Sequence, residues 1–138
     1  MEKSVKMRWA AAYIAALALM MMTGPGSALA AKSGETRLRT DLTGGAIAGK
    51  TPHGHAEFRS QTGRNRSQFN VEVENVNLAD GTSLEVDVNG AKVGTLTLKL
   101  GEGELELNSQ DGEVVPAVQK GDVVTVVSTV GAILSGAF

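Results

Sequence analysis

Apolar and polar side chains alternate along most of this chain with a period of two. In Glu35–Leu42 the charges fall on odd positions, and threonine and leucine on even ones. From His55 to Ser60, Ala56 and Phe58 share one face while His55, Glu57 and Arg59 share the other. Phe69, Val71 and Val73 alternate with Asn70, Glu72 and Glu74, and Leu84, Val86 and Val88 with Ser83, Glu85 and Asp87. Leu96, Leu98 and Leu100 stand against Thr95, Thr97 and Lys99; Leu105 and Leu107 stand against Glu104, Glu106 and Asn108. Side chains on a strand point alternately to its two faces, so each run predicts a half-buried strand.

Turn residues punctuate these runs. Thr62-Gly63-Arg64-Asn65, Asp80-Gly81, Asn89-Gly90, Gly101-Glu102-Gly103, Asp111-Gly112 and Lys120-Gly121-Asp122 are the breaks. Asn89-Gly90 predicts a tight hairpin, because both residues tolerate positive φ. Val123–Val127 is nearly continuous in β-branched residues, and Gly131–Phe138 is small and apolar. Such unbroken runs predict strands covered on both faces. Thr43–Thr51 is glycine-rich around Ala46-Ile47-Ala48. Its core, Gly45–Gly49, echoes Gly131–Gly136, which reads as two glycine-bounded strands of similar packing.

No stretch after residue 31 has a helical period. About eight strands, with turn signals every ~8–12 residues, predict one all-β antiparallel domain, a β-sandwich or small Greek-key barrel. Short loops predict neighbours joined as a meander. The predicted core is Leu38, Phe58, Phe69, Val71, Val73, Leu84, Val86, Val88, Leu96, Leu98, Leu105, Val124, Val126 and Leu134.

The first residues follow a different logic. Lys3, Lys6 and Arg8 precede an apolar stretch from Trp9 to Met22; Gly24-Pro25-Gly26 breaks it, and Ala28-Leu29-Ala30 offers a small-residue cleavage site. That is the pattern of a signal peptide over residues 1–31, ahead of a domain over 32–138. The run is shorter than the ~20 residues that span a bilayer as a helix. The expected location is therefore secreted or periplasmic. The absence of cysteine in an exported small domain points to a bacterial setting.

Beyond the leader there are ten basic and fourteen acidic side chains, a net charge of about −4. The two signs look interspersed along the chain. Nucleic acid calls for a basic stripe, so it is not an expected partner, and membrane insertion is not expected either. Phe58, Phe69 and Phe138 are the only aromatics after the leader, which disfavours stacking-based recognition of sugars or single strands.

Candidate chemistry is sparse. His53-Gly54-His55 on a strand places both imidazoles on one face with the Glu57 carboxylate, a set able to hold zinc or copper. Glu72, Glu74, Glu85 and Asp87 read as the polar face of two adjacent strands, extended by Glu104 and Glu106; oxygen ligands of that kind suit calcium, although no calcium-loop spacing is present. There is no nucleophile elbow and no glycine loop ahead of a helix, so no enzyme is expected and no cofactor. Phe138 reads as filling one end of the core. The nearly uncharged Val123–Phe138 segment would template self-association with another chain if it lay at a sheet edge.

Leu42, Gly44, Pro52, Gly54, Ala56 and Phe58 form the pattern L-x-G…P-x-G-x-A-x-F, and Val93-Gly94-Thr95-Leu96 follows further on. In these positions the chain resembles the chordin-type (CHRD) repeat. Thr82–Val88 stands where that family carries a histidine-rich middle segment. The resemblance implies an extracellular all-β module and supplies no catalytic residue. The expectation is an exported, non-catalytic β-domain with a structural, adhesion or assembly role. The alternative is a metal-binding exported protein using His53, His55 and Glu57.

Overall fold

The computed structural model describes residues 34–138, so the expected signal peptide lies outside the described residues. Eight strands follow one another: β1 (Glu35–Thr43), β2 (His53–Gln61), β3 (Arg66–Glu74), β4 (Ser83–Val88), β5 (Ala91–Thr97), β6 (Gly103–Asn108), β7 (Val123–Ser128) and β8 (Gly131–Ala137). Single 3₁₀ turns at Thr62–Arg64 and Ser109–Asp111 are the helical elements among the described residues.

All eight strands belong to one sheet, in the order β5-β4-β7-β8-β1-β2-β3-β6, and every laddered pair is antiparallel. The sheet curls until its edges, β5 and β6, meet. There the backbones of Lys99 and Glu102 exchange hydrogen bonds, and the Leu105 side chain lies against Gly94. The result is a nearly closed barrel made of a single sheet. The expected meander holds for β1–β2–β3, β4–β5 and β7–β8. It fails after β3, because β6 takes the place beside it, and residues 75–82 and 109–122 carry the chain past intervening strands. Such long returns are the Greek-key exchange.

The alternation explains the interior. Leu42, Ala56, Phe58, Phe69, Val71, Val73, Leu84, Val86, Val88, Leu96, Val124, Val126 and Leu134 are buried, and no polar or charged side chain joins them among the described residues. Barrels of this strand number are just wide enough for side chains to fill. Leu38 and Leu105 of the expected core pack against it only half-buried. Val76 and Val118 join it from the two crossing loops. Phe138 packs partly against the core.

Three readings of the sequence are corrected. Val123–Val127 is not covered on both faces: a single-layer barrel has one inside, and Val123 is 39% exposed. The glycine-rich segment before Thr51 is not a strand. Ile47 and Lys50 pair around Ala48 and Gly49, both at positive φ, which makes a tight turn. Leu100 is not an inward strand residue. It sits at φ 54 in the β5–β6 turn, 80% exposed.

The C-terminal strand lies inside the sheet, between β7 and β1, rather than at its edge. Its ladder to β1 is a single pair, Thr43–Ser135. The two backbones approach closely here. A Cβ on Gly136 would run into the Asp41 carbonyl.

Candidate functional site

The filled interior leaves chemistry to the outside, and the outer face of β1, β2, β3 and β6 carries most of it. Register sorts its side chains into rows across the strands. Asp41 lies opposite His55, His55 opposite Glu72, and Glu72 opposite Glu104. One step toward the Thr43 end, Thr43, His53 and Glu74 align. One step the other way, Arg39, Glu57, Asn70 and Glu106 align. The next row is Arg37, Arg59, Gln68 and Asn108.

His53, His55 and Glu57 do share this face, as their two-residue spacing demands. Each is engaged sideways rather than with the others. His53 Nδ1 lies 3.7 Å from Glu74 Oε1, His55 Nε2 lies 3.5 Å from Glu72 Oε1, and Arg37 Nε donates to Glu57 Oε2 at 3.0 Å. Among the described residues, no three histidine or carboxylate side chains form a group disposed to hold a metal ion.

The acidic residues fall differently from the sequence reading. Glu85 and Asp87 stand on β4, which is not beside β3, so they do not join Glu72 and Glu74. Glu102 and Glu104 do, and the four glutamates line an open depression of about 290 Å³. A second depression, about 240 Å³, is lined by Glu57, Arg59, Gln68, Asn70 and Glu106. Asn70 Nδ2 donates to Glu104 at 3.4 Å, while Asn70 Oδ1 and Arg59 Nε are enclosed without hydrogen-bond partners.

Across the barrel, Glu85 and Asp87 form a separate pair. Glu85 is pushed above the ordinary glutamate value, first by a side-chain hydrogen bond with Asp87, then by desolvation and the Asp87 charge; Lys92 pulls the other way. Two ionised carboxylates are both acceptors only. A hydrogen bond between them therefore needs a proton on one of the two, and Asp87 Oδ1 is enclosed with no other partner.

Sequence reasoning missed the arginines. Arg37, Arg39, Arg59, Arg64 and Arg66 looked dispersed, yet the two hairpins β1–β2 and β2–β3 gather them at one end of this face. The Thr62–Asn65 turn, which folds β3 back on β2 and brings Arg59, Arg64 and Arg66 to one end, was the available signal. No family model matches the chain, and no curated protein matches it.

Proposed function

We propose that this domain is an exported, non-catalytic β-module that works by surface contact, in adhesion or assembly at the cell envelope or outside the cell. One observation carries the reading: an apolar, filled barrel interior with every described ionisable group on the outside. Catalytic carboxylates combine a shifted pKa with a cleft; Glu85, whose pKa is raised, stands on the outer face of β4 and lines neither depression. The two depressions here are open hollows on a sheet face. The CHRD-like positions fit a scaffold role. Leu42, Pro52, Ala56 and Phe58 are buried, and Gly54 passes close to the Glu72 carbonyl.

Size-exclusion chromatography with light scattering at high concentration, together with pull-downs from cell surfaces, tests the proposal. Self-assembly or a captured surface partner supports it. A strictly monomeric protein with no partner counts against it.

A second reading has zinc or copper held by His53, His55 and Glu57. The two imidazoles on one side of β2 favour it; it requires Glu57 to leave Arg37. Calorimetric titration separates the readings. Metal uptake unchanged in His53→Ala/His55→Ala removes the second.

A further inference from the structure

The outer face of β1–β3 sorts its cations in a way that chain order hides. All five arginines among the described residues, Arg37, Arg39, Arg59, Arg64 and Arg66, fall at the end away from the Thr43–His53–Glu74 row. The four described lysines, Lys50, Lys92, Lys99 and Lys120, lie elsewhere. Arg37 and Arg59 are direct cross-strand partners. Like charges in that position are destabilising, and Glu57 offsets the charge of Arg37. Arg37 Nε meets Glu57 at 3.0 Å, while Arg59 Nε is enclosed with no partner. On β1–β3 themselves Glu35 and Glu57 stand among these cations; beside them, Glu106 of β6 completes the Arg39–Glu57 row and lines the depression that holds Arg59, and Glu113 accepts from the Asn108 amide at the end of the Arg37–Arg59 row.

Arginine in place of lysine matters. The guanidinium is a rigid fork that matches the geometry of an oxyanion, and it stays charged. We propose that this cluster binds the phosphate or sulfate ester groups of a flexible anionic polymer, gripped between Arg37 and Arg59. The inference rests on the surface-contact reading above and names the chemistry of the partner.

The polymer's flexibility follows from the rows beyond. Strand residues on one face repeat about every 7 Å. Away from the Arg37 row the face turns acidic: Glu106 stands one such step off, Asp41, Glu72 and Glu104 two, and Glu74 three. A flat bilayer or a rigid duplex laid on the face meets those carboxylates too. A flexible chain bearing single esters can seat one group on the arginines and turn away.

The test is titration of the protein with dextran sulfate and with dextran phosphate at several salt concentrations. Phosphatidylglycerol vesicles and duplex DNA form the comparison arms. The expected result is saturable binding to the flexible polymers, with log affinity falling linearly against log salt. Arg37→Gln/Arg59→Gln should weaken it by about tenfold or more and lower the salt slope by about one for each arginine removed. Arg37→Lys/Arg59→Lys should keep the slope while losing affinity, and Lys92→Gln/Lys120→Gln should change nothing. Where the first variant fails to fold, Arg39→Gln/Arg64→Gln, both on exposed side chains, serves instead.

Unchanged binding in the arginine variants would overturn the proposal. So would tighter binding to vesicles or duplex, or salt-sensitive pairing of two copies that covers the arginines. If the polymers fail to bind while a protein partner is still captured, this inference falls and the surface-contact reading stands.

Discussion

Asn89 shows how much one residue can do here. It takes φ 51 ahead of Gly90, making the β4–β5 turn. Its side chain donates to Asp122 at 3.0 Å and accepts from the Val123 amide at 2.9 Å. A turn former thus also ties the long β6–β7 crossing to the barrel. Asn89→Ala loses both bonds and the tolerance for positive φ, and should cost roughly 1–2 kcal/mol in denaturant melts. The hairpin was legible from Asn-Gly alone; the tie was not, because its partner lies far along the chain. Glu85 gives a prediction of the opposite sign. Its pKa is raised in the folded state, so folding gains as pH falls and Glu85 takes up a proton. At neutral pH its charge beside Asp87 opposes folding. Glu85→Gln should therefore raise the melting temperature at pH 7, and the gain should fade as pH drops to the ordinary value of 4.5 and below. A gain that persists unchanged into acid would remove the carboxylate pair as its cause.

At the scale of elements, strands announced themselves and their neighbours did not. Val71, Val73 and Val86 are inside because each alternates with polar residues, a signal local to five or six positions. That β6 sits beside β3 depends on two crossing loops, which carry no comparable local signal. The same gap hid the arginines and misplaced Glu85. Two joints now make predictions. In the β5–β6 connection, Leu100 holds φ 54 with its amide bonded to Asp80 Oδ1 at 2.7 Å. The left-handed region costs a leucine roughly 1–2 kcal/mol, part of which glycine gives back through a freer unfolded chain. Leu100→Gly should therefore be neutral to stabilising, by up to about 1 kcal/mol in thermal or denaturant unfolding. At the β8–β1 joint there is no such slack, because the obstacle is backbone. Gly136→Ala should cost about 1–3 kcal/mol, the range for forced overpacking. A wild-type melt for that variant would refute the close approach.

For the whole molecule, barrel closure is uneven. Seven neighbouring pairs are laddered, yet β8 meets β1 through one registered pair and β5 meets β6 through none. Between β5 and β6, contact runs through the Leu105 side chain over Gly94 and through the turn itself. Amides on the facing edges of β5 and β6 should exchange with deuterium faster than those of β2, which is paired on both sides. Equal protection would mean a continuous ladder. The all-β character, most of the core and the face bearing His53 and His55 were readable in advance, being consequences of alternation. Closure was not, since it is a property of strand order. Its consequence is mechanical. A hoop fastened along most of its girth gives way at the unlaced join, so heat, load or a competing β-hairpin should prise the domain apart there while the β1–β2–β3 staves hold together.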